Sequence, residues 1–383
     1  MTTISLVFPG DGRDPGVRSG VPHSLASGLT AAGARVRHLR AEPRAPFDRL
    51  LLDAVTVTRV RAGVQARSMQ AMRSAAYNGP LMGRAQTWST GQRVARADGV
   101  DGYVQVGSSY ALPAGLASVT HDDMTVVQAA RAGYPGIKLL SRRELRERIE
   151  LQRLAFERAR ACCVVTRWAG DSIVEDYGIA PEKIRVVGGG RNHDPRPAVR
   201  DWSTPRFLFV GKDWERKNGP LVLRAFGRLR QAIPEATLDV VGRHPAIEQD
   251  GVTTHGWLSL DDAADRRTLD SLFERATCFV MPSKHEPSGI VFSEANAAGI
   301  PSIGSTEGGS GELVGAPGHV VHPDDEDGLV AAMTDLSDPV NAERRGAQAA
   351  LRSRDYTWPC VGERVLRALE LPGVPTAGLA DFL

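Results

Sequence analysis

Residues 278–305, CFVMPSKHEPSGIVFSEANAAGIPSIGS, decide how the chain is read. Cys278 to Met281 form a short apolar run closed by Pro282 and Ser283, the pattern of a buried strand entering a loop. The spacing then predicts a helix over residues 288–298, stopped by Gly299 and Pro301, and a new strand over 300–303. Strand, loop, helix, strand is a βαβ unit, and open α/β sheets bind ligands where the strand ends and the helix begins. Two acids mark the unit, Glu286 and Glu294. Their spacing, read as helix, covers roughly 12 Å and returns to nearly the same face. The amides around Ser288, Gly289 and Ile290 are first-turn donors. A ligand with hydroxyls at both ends and a diphosphate between them suits this layout; a surface helix with two solvated acids is the alternative.

A second loop of the same kind lies upstream. Residues 209–221, FVGKDWERKNGPL, follow an apolar strand over 207–210 and lead into a helix over 221–231. Lys212, Arg216 and Lys217 are thus brought to one strand end, where cations and free helix amides both favour a diphosphate. The chain is poor in lysine, with Lys138, Lys183, Lys212, Lys217 and Lys284 as its full set. Three of the five fall in these two loops. A strand over 237–241 ends at Gly242-Arg243, and His255-Gly-Trp257 follows.

The first half repeats the alternation. An apolar strand over 4–8 precedes the Gly-rich loop PGDGRDPGVRSG, ending at Gly20, then a helix over 21–32 and a strand over 35–39. The glycines do not form a GxGxxG fingerprint. A strand over 116–120 leaves His121 just past its end. A charged helix over 141–161 reads as solvated. The proline-rich stretch 194–205 reads as a linker and places a boundary near residue 200. Three segments follow: 1–198, 199–355, and a C-terminal helical segment 356–383 expected to pack back on the first.

Residues 44–97 resist parsing, although 59–72 could be helical. Seven arginines (Arg59, Arg61, Arg67, Arg73, Arg84, Arg93, Arg96) and no acid lie between Asp53 and Asp98. Such a run is either a solvated or internally paired face, or a basic face for an anionic acceptor or membrane surface.

With 383 residues, 42% hydrophobic and 24% charged, two soluble globular domains are expected. A net charge of +2 gives no argument for nucleic acid. No apolar run approaches a membrane span and the first residues lack a signal-peptide body, so a cytoplasmic location is expected, with a peripheral contact at the inner membrane face as an option. Cys162, Cys163, Cys278 and Cys360 have neither zinc-ligand nor CxxC spacing and read as buried free thiols. Oligomeric state is not legible.

The order of these motifs resembles the retaining GT-B glycosyltransferases, in particular the large family that includes sucrose synthases, bacterial glycogen synthases and phosphatidylinositol mannosyltransferases. The resemblance is carried by Ser19–Gly33, His121, VVTRWAGDSIVEDYGIAPEKIRVVGGG, VGKDWERKNGPLVLRAF, HGWLS, EPSGIVFSEANAAGIP and YTW near the end. It implies two Rossmann-like domains facing each other across a cleft. It implies transfer of a hexose-type sugar from a nucleotide-diphosphate donor, UDP before GDP, to a hydroxyl acceptor, with no metal and no cofactor. Lys212 and Lys217 would hold the diphosphate, Glu294 the ribose hydroxyls, and Glu286 with the amides of Gly289 and Ile290 the donor sugar. His121 would stand beside the reacting carbon and Gly20 near the phosphates; Gly242, Arg243 and Trp257 complete the nucleotide-sugar site. The chain has Ser19-Gly20 where relatives carry two glycines, Ser288 where they carry an aromatic, and Lys212 where many carry arginine. A sugar-nucleotide epimerase, a phosphorylase, or a non-catalytic nucleotide- or glycan-binding protein of the same fold is the competing reading.

Overall fold

The computed structural model describes residues 1–373 except 62, 63, 65, 67 and 196. It divides into two units, Met1–Gly188 together with the segment from Trp358, and Gly189–Thr357. Each is built on one parallel six-stranded sheet.

The first sheet uses β1 (Thr3–Phe8), β2 (Arg35–Arg40), β3 (Gly102–Val106), β4 (Ser118–Asp122), β5 (Ala161–Val164) and β6 (Ile184–Val186) in the order β2-β1-β3-β4-β5-β6. The second uses β7 (Arg206–Gly211), β8 (Thr237–Gly242), β9 (Val252–Gly256), β10 (Cys278–Val280), β11 (Ser302–Ser305) and β12 (His319–Val321) in the order β12-β11-β10-β7-β8-β9. β1, β3, β4, β5 and β10 are buried throughout, as central parallel strands must be when helices cover both faces. That is why β1, β5 and β10 read as largely apolar runs. β9, VTTHG, lies on the sheet edge and is partly exposed, so it lacks such a run and the sequence pattern misses it.

The unit boundary falls at Gly188/Gly189, ahead of the proline-rich stretch and not at 198/199. Residues after Gly189 belong to the second unit because their arginines are anchored there. Arg191 donates to the Ser353 carbonyl at 2.7 Å, and Arg200 donates to the Ala276 and Ala298 carbonyls at 2.6 and 2.5 Å. At the other end the chain re-enters the first unit at Trp358 rather than at 356. The helix Trp358–Ala368 packs on the helix Val21–Ala31 through a glycine crossing: a Cβ on Gly28 would lie 2.1 Å from the Trp358 carbonyl oxygen. Residues 374–383 of the expected third segment lie outside the described residues.

Residues 44–97 fold as three helices, Phe47–Arg61, Met69–Tyr77 and Pro80–Val94. No single helix runs across 59–72: one helix ends at Arg61, and Ser68 caps the next by accepting from Ala71 N at 3.1 Å. Much of the arginine run is internally paired. Arg59 is buried and donates to Glu144 and to the Leu139 carbonyl; Arg73 pairs with Asp53 at 3.1 Å, Arg84 with Glu147 at 3.0 Å, and Arg93 donates to the Arg40 carbonyl. Arg61 and Arg96 are exposed, and Arg67 lies outside the described residues. Cys162, Cys163 and Cys278 are buried free thiols, whereas Cys360 is only half-buried.

Candidate active site

In the second unit the chain builds β7, β8 and β9 outward on one side, then returns to β10 on the other side of β7. Loops leaving β7 and β10 therefore diverge, and their junction is the topological switch point at which such sheets bind ligands. The two motif loops are these two loops.

Lys217, buried to 8% exposure, donates to Glu286 Oε2, itself on a residue only 6% exposed. Arg216 donates to the same oxygen at 3.2 Å and to the His285 carbonyl at 3.0 Å. Two cations thus face one carboxylate. Burial raises the Glu286 carboxyl, but the Lys217 and Arg216 charges outweigh it and hold it below the usual range. Burial, joined by Arg216, holds Lys217 below the ordinary lysine range despite Glu286. Arg216 is shared with Asp213, whose carboxylate lies 3.6 Å from its Nε, so the two cations meet two carboxylates, Glu286 buried and Asp213 exposed.

Glu286 is held by its backbone as well. Its N–H donates to the Glu307 carbonyl at 3.0 Å, and its carbonyl accepts from Gly309 N at 3.0 Å. Gly308, at φ +108°, permits this: a Cβ there would lie 2.1 Å from the Glu286 oxygen. The Gly-rich turn after β11 is therefore a clamp on the acid.

Glu286 precedes the helix Ile290–Ala297 rather than lying on it, so the one-face helical geometry expected for the two acids does not apply. Gly289 starts this helix at φ +74° with no side-chain cap. Glu294, on the helix and buried, accepts from His193 N at 3.1 Å. Burial raises its pKa, opposed by His193 and the Asn192 amide. His193 is fixed in turn by Asp270 at 2.6 Å and by Phe273. Sequence reading placed His193 beside a linker and missed it; only the fold brings it to Glu294.

Lys212 takes a different partner from Lys217. Its Nζ lies 5.1 Å from the Trp257 ring centroid, and Arg243 Cζ lies 5.5 Å from the same ring. Trp257 is 46% exposed, a plate with a cation bound to it and another beside it. Gly242 brings Arg243 there, since a Cβ at this φ of +121° would lie 1.8 Å from the Gly211 oxygen. Lys284 forms only an exposed pair with Glu215 at 3.7 Å.

In the first unit, His121 and Asp122 are the last residues of β4, inside the strand rather than past its end. Both are buried. Burial, then Arg18, depresses His121 to about 4, so its imidazole is neutral at pH 7, and its Nε2 has no hydrogen-bond partner among the described residues. Asp122 accepts from Ser108 N at 3.0 Å and Ser108 Oγ at 2.7 Å; burial still raises it to about 6. Gly20 stands at φ +78° before the helix Val21–Ala31.

Residues 204–338 match the model of the glycosyl transferases, group 1. Over nearly all of its length the chain is similar to solved structures. Sucrose-phosphate synthase from Thermosynechococcus elongatus gives a TM-score of 0.63 at 16% identity, covering 97% of this chain and 98% of that one. The fold is GT-B. The Anabaena HepE structure, in complex with UDP and glucose, is a further GT-B neighbour, with a TM-score of 0.61 at 14% identity over 97% of this chain and 100% of that one. Among sequences, glycogen synthase of Mycobacterium tuberculosis is 34% identical over 212 residues, 50% of this chain and 49% of that protein. The GDP-mannose-dependent alpha-(1-6)-phosphatidylinositol monomannoside mannosyltransferase of Mycolicibacterium smegmatis is 30% identical over 172 residues, 40% and 44% of the two chains. The GT-B chain thus matches about half the length of these curated relatives. Among the described residues no helix is long and apolar enough to cross a membrane, and no cluster of three or more metal-ligating side chains is gathered.

Proposed function

We propose that this GT-B chain is a glycosyltransferase that moves a hexose-type sugar from a nucleoside diphosphate sugar to a hydroxyl acceptor with retention of configuration. The observation that carries the reading is the convergence of Lys217 and Arg216 on Glu286 at the switch point of the second sheet, beside the start of the helix Ile290–Ala297. The leaving diphosphate is the group whose charge grows in the transition state, and fixed cations in a buried site stabilise it. Lys217 and Arg216 supply that charge, so the reading includes no metal and no cofactor beyond the donor itself.

Trp257, flanked by Lys212 and Arg243, offers a flat face to a base or sugar ring. Glu294 takes the ribose hydroxyls. Glu286, engaged by two cations, is a hydrogen-bonding anchor for the sugar rather than a nucleophile. In the retaining step the acceptor oxygen bonds to the anomeric carbon as the carbon–phosphate oxygen bond breaks, and the departing phosphate oxygen takes the acceptor proton. The resemblance adds His121 beside the reacting carbon and Gly20 near the phosphates. UDP is the first donor nucleotide to test and GDP the second, the latter being the nucleotide in the name of the mannosyltransferase relative.

The reading places the enzyme in the cytoplasm. A contact with the inner membrane face rests on exposed Phe47, Leu50 and Val57 of the helix Phe47–Arg61, and co-sedimentation with anionic vesicles tests it. The reaction itself is tested by assaying free nucleoside diphosphate from a panel of UDP-, GDP-, ADP- and TDP-sugars with hydroxyl acceptors. Release with one donor supports transfer. Interconversion of sugars without release indicates an epimerase, phosphate dependence without nucleotide a phosphorylase, and binding without turnover a scaffold.

A further inference from the structure

Glu294 is buried on the helix Ile290–Ala297, yet the donors to its carboxylate come from a stretch with no regular structure. Residues 191–195 form neither helix nor strand. Within them the His193 N–H meets Glu294 Oε1 at 3.1 Å, and the Asn192 amide reaches the same carboxylate. Loop backbone is mobile unless something ties it down, so an amide held at this position needs an anchor. The anchor is the His193 side chain. Its ring is 6% exposed and seats on the helix Ala263–Arg275. Asp270 and Phe273 are three residues apart there and share a face. Asp270 Oδ1 lies 2.6 Å from His193 Nε2, and the Phe273 ring centroid lies 5.5 Å from that of the imidazole. His193 therefore bridges two helices, with its side chain on one and its peptide N–H on the acid of the other.

Packing alone does not account for a histidine at this place. Its Nδ1 is buried with no hydrogen-bond partner among the described residues, and burying such a group costs free energy that an apolar ring would not. What the imidazole adds over an apolar ring is the bond to Asp270, a side chain 43% exposed that reaches the surface. The cost is thus set against one directed contact, and that contact fixes the backbone that faces Glu294.

We propose that His193, tied down by Asp270, is a positioning residue that holds Glu294 in the geometry that takes the ribose of the donor nucleotide. The inference rests on the ribose role given to Glu294 in the transferase reading and adds the pair of residues that fixes it. A binding group is only as precise as the side chains that lock it, and here the lock lies on a neighbouring helix. His193 touches no reacting atom, and no step of bond exchange is assigned to it.

The test uses the full chain and compares His193→Ala, Asp270→Ala, Asp270→Asn, Glu294→Ala and Asp270→Ala/Glu294→Ala with the parent. Thermal unfolding first confirms that each variant folds; Asp270→Ala, changed at a half-exposed side chain, carries the test if the buried His193→Ala does not. Calorimetry follows the tightest binder among UDP, GDP, ADP and TDP. One ordinary hydrogen bond corresponds to about two- to tenfold in affinity. The expected result is that loss for His193→Ala and Asp270→Ala, with affinity close to the parent's in Asp270→Asn, whose amide oxygen still accepts from Nε2–H. With Glu294 already removed, Asp270→Ala adds no further loss, because the two changes act through one contact. A merely structural role for the pair would lower stability and give the same change in affinity in both backgrounds. Unchanged affinity in Asp270→Ala, or an equal loss with and without Glu294, overturns the proposal and leaves the transferase reading intact, since the parent still binds nucleotide. A parent that binds none of the four at millimolar concentration overturns both.

Discussion

Lys217→Met isolates the interaction on which the proposed donor site depends. The change removes a buried ammonium of similar length and leaves Glu286, 6% exposed, with Arg216 alone at 3.2 Å. Deleting one member of a buried ion pair costs about 3–5 kcal/mol. Arg216 is 32% exposed and stays in place, so it retains part of the interaction and the expected loss is about 2–3 kcal/mol. The pH dependence follows from the sign of the Glu286 shift. Its folded pKa is depressed, so its contribution is present above the unfolded value of about 4.3 and is lost as pH falls through the folded value. In the variant one cation is gone and burial dominates, so the ionised carboxylate becomes a penalty at neutral pH that protonation relieves. Urea unfolding, followed by tryptophan fluorescence, should therefore show the full loss at about pH 7 and a much smaller one near pH 4. Lys217→Met/Glu286→Gln should recover most of it at neutral pH. Turnover should fall by at least about 100-fold. An equal loss at both pH values, or no recovery in the double variant, would refute the claim that Glu286 is held ionised by Lys217.

Glu294→Gln should raise the nucleoside diphosphate dissociation constant about tenfold or more by calorimetry, since an amide nitrogen replaces one acceptor oxygen; an unchanged constant removes the ribose role. Trp257→Ala should weaken nucleoside and nucleoside diphosphate alike by about fivefold, with Phe restoring most of it. A loss seen only with the diphosphate would instead show that Trp257 acts through its cations. His121 is neutral when folded, with a pKa of about 4 against about 6.5 unfolded, so its contribution is intact above pH 6.5 and declines as pH falls toward 4. That decline totals about 3 kcal/mol. His121→Gln should flatten the stability–pH curve in this window, and a parallel curve would count against the buried neutral imidazole.

The buried central strands were legible because residues such as Phe207–Phe209 and Phe279–Met281 must be apolar in a row when both faces of a sheet are covered. The two motif loops were legible for a related reason: their cations and acids are bounded by strand and helix signals. The edge strand β9, half-exposed, left no such trace. Nor did the pairing of side chains. Nothing in the spacing tells that Lys217 reaches Glu286 while Lys212 goes to Trp257, because that choice depends on which strands are neighbours. The helix over 59–72 failed because helical spacing persists through residues 61–68, where one helix ends and Ser68 caps another.

The glycine crossing between the helices Val21–Ala31 and Trp358–Ala368 has a consequence for engineering. Gly28 and Gly362 face each other so closely that a Cβ on Gly362 would lie 2.3 Å from the Gly28 carbonyl carbon. A hybrid made by a single splice near residue 189 would join this first helix to a foreign last helix, and nearly any larger side chain at the crossing would force the two apart. Exchange of the second unit between homologues should instead be made as a cassette, replacing Gly189–Thr357 between two junctions and leaving the final helix with its original mate.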